Sequence, residues 1–202
     1  MFYPKKVYFE DYVFFVDENV YEPAEDTFLL AENMKVTKDD IVLDMGTGCG
    51  ILAILAAQKT KKVIAIDINP YAIECATKNA EINCKKEKIE FRVGDLFQPT
   101  RHGEKFSVIL FNSPYLPSEK DEEKSWIGKA WAGGPNGRKV IDRFIINAQN
   151  VLAENGKILL IQSSLSDIDK TLEMFSENNL LARIISNVKV PFEEIVLIEA
   201  KL

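Results

Sequence analysis

The chain has 202 residues, 47% of them apolar, and a net charge of −6. That length supports a sizeable core, while the acidic balance argues against unaided gripping of a nucleic-acid backbone, which needs clustered Lys and Arg. Three cysteines (Cys49, Cys75 and Cys84) in no ligating spacing, with the single histidine His102, give no basis for a metal site.

The start, Met1 to Lys6, lacks the apolar core of a signal peptide, and no apolar run is long enough to span a bilayer. The sequence therefore reads as a soluble, reduced, cytoplasmic protein. It reads as one domain over residues 1–202, with residues 1–34 an N-terminal hairpin and helix packed on it.

Residues 5–16 alternate around Val7, Phe9, Val13 and Phe15, which predicts a hairpin over the turn Glu10-Asp11. Pro23 opens a short helix with Glu25 and Asp26 in its first turn, where acids suit the helix dipole. A regular alternation follows. Ile41–Asp44 reads as strand, Ile51–Lys59 as helix, Val63–Asp67 as strand, and Pro70 to about Asn83 as helix. Ile89–Val93 and Phe106–Phe111 are strands. Lys139–Leu152 is helical, Lys157–Gln162 a strand and Ile168–Asn179 the last helix. Ala182–Val190 and Ile195–Lys201 close the chain. Strands alternating with helices of about 10–15 residues indicate parallel βαβ units. The final connection, Pro191-Phe192-Glu193-Glu194, is too short for a crossover helix, so the last two strands form an antiparallel hairpin. The fold class is α/β: a mostly parallel seven-stranded sheet with helices on both faces and a C-terminal antiparallel hairpin. Leu116–Gly137 is the one long irregular stretch, and such loops inside compact domains are usually functional.

Asp44-Met45-Gly46-Thr47-Gly48-Cys49-Gly50 joins a hydrophobic strand to an apolar helix. Glycines at such a junction permit positive φ and close approach of a ligand to the backbone. The spacing departs from the dinucleotide fingerprint, because position 51 is Ile and the third glycine, Gly50, comes one residue early. Asp67 and Asp95 end the next two strands. Asp67 is placed to accept both hydroxyls of a ribose; a role in capping the following helix suits Asn69 better. Asn112-Ser113-Pro114-Tyr115 follows the strand ending at Phe111. An Asn carbonyl beside a rigid, aromatic-tipped turn suits holding a planar, weakly nucleophilic –NH2 group, and Pro114 pushes Ser113 towards an extended conformation.

Asp44-x-Gly-x-Gly-x-Gly resembles motif I of the class I S-adenosylmethionine (AdoMet) methyltransferases. Asn112-Ser113-Pro114-Tyr115 resembles the N-P-P-Y signature of amino-group methyltransferases, with Ser113 in place of the first proline. Val20–Leu30 and Ala130–Arg138 look like the paired signatures of HemK-like protein glutamine methyltransferases. They are similar in particular to the archaeal and eukaryotic branch that modifies the Gly-Gly-Gln glutamine of class 1 peptide-chain release factors. The resemblance runs from about residue 7 to 202. It implies a Rossmann-like class I fold and AdoMet as cofactor, bound by Thr27 at the methionine end and by Asp44, Gly46, Gly48, Gly50 and Asp67. Asp95 would accept from the adenine amino group, Leu96 would cover the ring, and Asn112 would touch both ligands. Asn112, Ser113, Pro114 and Tyr115 would form the reaction site. Two oxygens, the Asn112 side-chain carbonyl and the Ser113 backbone carbonyl, would accept from the amide to be methylated.

A release factor is then the expected substrate, and a small zinc-binding activator protein the expected partner. The predicted edge strand Ile89–Val93 is open to strand addition. The same acceptor geometry also tolerates an exocyclic amine of DNA or RNA, or a deprotonated protein lysine. Gly133, Gly134 and Gly137 read as shaping the pocket or as starting the next helix; Trp126 and Trp131 read as substrate contacts or as core.

Overall fold

A computed structural model describes residues 5–202; Met1 to Pro4, part of the N-terminal stretch Met1 to Lys6 read above, lie outside the described residues. Strands β1 (Lys5–Phe9) and β2 (Tyr12–Val16) form the predicted antiparallel hairpin, and Glu10 takes a positive φ at its turn. Helix α1 spans Glu25–Asn33, two residues inside the position where Pro23 was expected to open it. Then come β3 (Ile41–Met45), α2 (Ile51–Lys59), β4 (Lys62–Asp67), α3 (Pro70–Ile82), β5 (Ile89–Val93) and β6 (Phe106–Asn112). The chain continues with α4 (Trp126–Trp131), α5 (Lys139–Ala148), β7 (Leu152–Ser163), α6 (Ile168–Glu177), β8 (Leu181–Val190) and β9 (Glu193–Lys201).

Seven strands make one sheet in the order β5-β4-β3-β6-β7-β9-β8. Pairs among β3, β4, β5, β6 and β7 are parallel, while β9 pairs antiparallel with both β7 and β8. The central strands are buried on both faces, as parallel strands sandwiched by helices must be. Val42, Leu43, Ile109, Leu110, Ile158 and Ile161 are all inaccessible. The small hairpin is tied to α3 by two side-chain amides. Asn79 bonds both Phe15 N and Phe15 O, and Asn83 bonds both Val13 N and Val13 O.

Two expectations are corrected. Helix α5 ends at Ala148, four residues before Leu152, which instead begins β7 and pairs with Phe106. Val151 and Leu152 are apolar at positions that fit a continuing helix, so periodicity alone carried the prediction too far. Leu116–Gly137 is not wholly irregular. Ser125 accepts from Gly128 N at 3.0 Å and caps α4. The segment folds back on itself through Leu116 N to Trp131 O (3.0 Å) and Gly133 N to Leu116 O (2.8 Å).

Strand β5 is an edge, as expected. Arg92 sits between Glu90 and Glu104, bonding Glu104 at 2.6 and 2.9 Å, and the Arg92 bonds hold the Glu104 carboxyl down at about 2.

Candidate active site

The carboxyl ends of β3, β4, β5 and β6 surround a cavity of about 620 Å³. It lies where strand order reverses between β3 and β6, the place where open α/β sheets hold ligands. Gly46, Gly48, Asp67, Asp95, Leu96 and Thr27 all reach its wall, as does every residue of Asn112-Ser113-Pro114-Tyr115. Asp44 and Gly50, expected among the ligand contacts, do not.

Both have a supporting role. Gly50 takes φ +88° at the start of α2, and a Cβ there would fall 2.9 Å from Ala76 Cβ, so the loop–helix junction packs directly on α3. Asp44 is fully buried behind the loop. Its Oδ2 accepts from Thr47 Oγ1 (2.6 Å) and Ala53 N (3.1 Å), lacing the glycine loop to α2. Its Oδ1 has no partner among the described residues.

Burial pushes the Asp44 carboxyl up to about 7, against the opposing pull of its two hydrogen bonds. A carboxyl raised in the folded state binds its proton more tightly there than in the unfolded chain, so folding gains at low pH. That gain is complete below the ordinary value of 3.8 and is lost as pH rises towards 7. Asp44→Asn should therefore flatten the decline of stability with pH across this window by up to roughly 4 kcal/mol. Denaturant midpoints for both proteins at several pH values check it; parallel curves would contradict it.

Asp67 accepts from Gly48 N through Oδ2 and from Asn69 N through Oδ1, both at 2.9 Å. It thus binds the glycine loop to the β4 end, and burial pushes its carboxyl above the usual range. Capping of α3 falls to Asn69, whose Oδ1 accepts from Tyr71 N at 3.0 Å. Asp95 does not stand alone: Arg143 of α5 pairs with its Oδ2 at 2.6 Å, leaving Oδ1 for a ligand. Leu96 beside it takes a positive φ of 47°.

The reaction motif is held by a residue the sequence suggested only as a dipole partner. Asp26 is buried in α1. Its Oδ2 accepts from Tyr21 OH (3.2 Å), Tyr115 OH (3.1 Å) and Asn112 Nδ2 (3.1 Å). Its Oδ1 accepts from Thr27 N (2.6 Å) and Thr27 Oγ1 (3.2 Å). Thr27 Oγ1 in turn accepts from Asn112 Nδ2 at 3.0 Å. Burial and the Asp26 charge push the Tyr21 and Tyr115 hydroxyls well above the usual tyrosine range, so both remain donors. With both acceptors on its Nδ2, Asn112 is left with Oδ1 as its remaining polar atom.

Ser113, buried where the signature has proline, donates its hydroxyl to Ile161 O on β7 at 2.8 Å. A side-chain tether thus replaces ring rigidity. Behind the motif, Gly137 takes φ +73°, and a Cβ there would lie 2.2 Å from Tyr115 O and 2.8 Å from Ser166 Cβ. None of Gly133, Gly134 and Gly137 itself lines the cavity. Gly137 backs Tyr115, and Gly133 O accepts from Lys139 N at the start of α5, closer to the helix-starting role than to the pocket wall. Gly137→Ala adds left-handed strain to a backbone clash and should lower stability by about 2–4 kcal/mol. Chemical denaturation measures this; an unchanged midpoint would refute the packing described.

Trp126 and Trp131, left open between core and contact, are half-buried and face the cavity. Tyr71 meets Trp126 edge-on at 6.5 Å, and Lys129 Nζ lies 4.3 Å from the Trp126 ring centre. Asp26, named from sequence only for its place in the first turn of α1, and Tyr21, Arg143 and the buried Arg138, which donates to Ser166 O, Asp167 O and Thr171 Oγ1, were given no site role from sequence. For Asp26 a signal existed: it shares a helix face with Leu29 and Leu30, the apolar side of α1.

Acids ending successive parallel strands around a glycine loop, with an Asn-x-Pro-Tyr turn after the fourth, define a class I methyltransferase site on a Rossmann-like fold. Residues 17–130 match the family described as Methyltransferase small domain. A putative protein N5-glutamine methyltransferase of Methanocaldococcus jannaschii is 42% identical over 183 residues, 90% of this chain and 91% of that protein. Methyltransferase HEMK2 of Homo sapiens is 34% identical over 173 residues, covering 80% of each. The structure of the E. cuniculi Mtq2–Trm112 complex, responsible for methylation of the eRF1 translation termination factor, aligns with a TM-score of 0.70. Identity there is 25%, over 91% of this chain and 98% of that one. The chain belongs to the methyltransferase small domain family and, within it, to the HemK-like protein glutamine N5-methyltransferases.

Proposed function

We propose that this enzyme methylates the side-chain nitrogen of the glutamine in the Gly-Gly-Gln motif of a class 1 peptide-chain release factor, using AdoMet. The observation that carries the reading is the orientation of Asn112, whose Nδ2 is held by Asp26 and Thr27. Its Oδ1 can then accept one N–H of a primary amide while the Ser113 carbonyl accepts the other.

The residues present fit the cofactor. Asp67 is at hand for two ribose hydroxyls and Asp95 Oδ1 for an adenine amino group, while Asp44 holds the glycine loop from behind. When bound, AdoMet supplies an electrophilic methyl carbon on a sulfonium. An amide nitrogen is a poor nucleophile because its lone pair is delocalised into the carbonyl. The work of the protein is therefore to exclude water, align that nitrogen and hold both of its hydrogens. Proximity and orientation of this kind lower a barrier by roughly 7–11 kcal/mol, and the two acceptors add an electrostatic share. Asp26 already accepts five hydrogen bonds, so the departing proton goes to water.

A small zinc-binding activator is the partner this reading adds, supported by the Mtq2–Trm112 assembly of a relative. The open edge of β5 is where we place it. To test the function, the enzyme, AdoMet and such an activator are incubated with a release factor or with nucleic acid, and intact masses are read. One added methylene on the release factor is the expected result. Transfer to nucleic acid alone would overturn the reading.

A further inference from the structure

We propose that Asp26 is the residue that makes this site select a carboxamide and reject the corresponding carboxylic acid. The proposal rests on the glutamine reading above and assigns its specificity to a residue that need not touch the substrate.

An Asn side chain has two faces that differ only in which end donates. Left to itself in a pocket, it rotates to suit whatever it meets, and a site built on such a group cannot tell an amide from a carboxylate. A carboxylate can only accept. Placing one 3.1 Å from one terminal atom of Asn112 forces that atom to be the –NH2. Thr27 Oγ1 follows suit: its own hydrogen is directed to Asp26 Oδ1 at 3.2 Å, so it too can only accept from Asn112. Asp26 thereby fixes the flip of Asn112 through two routes, one direct and one through Thr27. The same Oδ2 anchors the Tyr115 hydroxyl at 3.1 Å, so both ends of the reaction motif take their orientation from one carboxylate. Burial of Asp26 keeps water from substituting for it.

A glutamine brings two N–H donors to the acceptor oxygens of Asn112 and Ser113. A glutamate brings only lone pairs, and its charge would face oxygens with no hydrogen between them. Discrimination of this kind, by unpaired or repelling polar groups, far exceeds what shape alone achieves. Without the Asp26 charge, Asn112 can turn its –NH2 outward, which disfavours the amide and welcomes the acid.

The test is a binding competition in the presence of S-adenosylhomocysteine, using the full chain with its activator. A release factor with its Gly-Gly-Gln glutamine intact competes against one carrying glutamate there. The wild type should prefer glutamine by at least roughly 10²-fold. Asp26→Asn should bring that ratio down at least tenfold, while binding S-adenosylhomocysteine and unfolding cooperatively. A merely structural loss would weaken both ligands together and leave the ratio alone. An unchanged ratio in folded Asp26→Asn overturns the proposal and spares the glutamine reading. Absence of any glutamine preference in the wild type overturns that reading itself. Should Asp26→Asn not fold, Asp26→Ser, smaller and equally uncharged, is read by the same ratio.

Discussion

Asn112→Ala should abolish detectable methyl transfer while leaving cofactor affinity close to that of the wild type. The side chain supplies one of two oxygens for the acceptor amide, and its loss removes both an orienting contact and an electrostatic one. Deleting a single preorganised polar partner from a reaction site typically costs about 10²- to 10³-fold in kcat. Here the loss should sit at the upper end, because alignment of a weak nucleophile depends on the same atom. The variant also leaves the Asp26 carboxylate with one donor fewer, but Tyr21, Tyr115 and Thr27 still satisfy it, so the fold should survive. Single-turnover transfer to a release factor, measured beside S-adenosylhomocysteine binding by calorimetry, separates the two effects. Normal turnover by Asn112→Ala would show that the acceptor is held elsewhere.

Asp67→Ala should have the opposite profile. Each Asp67 oxygen already accepts one backbone N–H, from Gly48 and from Asn69, and has a lone pair left for a ribose hydroxyl. Hydrogen bonds to a charged group contribute about 1.5–3 kcal/mol each. Losing two should weaken AdoMet binding by roughly 10²- to 10⁴-fold. Release of Gly48 N loosens the glycine loop and adds to the same effect. Turnover at saturating cofactor should fall far less than affinity does. An unchanged dissociation constant would remove Asp67 from the cofactor site.

Much of this arrangement was legible from residues alone, because the features that carry it are local. The hairpin over Glu10-Asp11, the alternation that became β3 to α3, and the short Pro191-Phe192 turn between β8 and β9 are all encoded within a few positions of themselves. The acids at strand ends were legible for the same reason. What escaped depends on distant meetings. Asp26 reaches Asn112 across 86 positions and Tyr115 across 89. Arg143 reaches Asp95 across 48. No periodicity foretells that α1 and the end of β6 will share a wall. The misplaced end of α5 has a different cause: Val151 and Leu152 satisfy helix and strand patterns equally, and the pairing of Leu152 with Phe106 decides the matter. Ser113 lies between these cases. Its departure from proline was visible, but the bond to Ile161 O that compensates for it required β7 to be in place.

The central claim is that a carboxamide sits edge-on against two oxygens, with Asn112 turned outward by Asp26. A crystal structure of the enzyme with S-adenosylhomocysteine and a Gly-Gly-Gln substrate measures this directly. The account predicts the glutamine Nε2 within hydrogen-bond distance of both Asn112 Oδ1 and the Ser113 carbonyl, pointing at the sulfur. A glutamine bound outside that cleft, or facing Asn112 Nδ2, would contradict it.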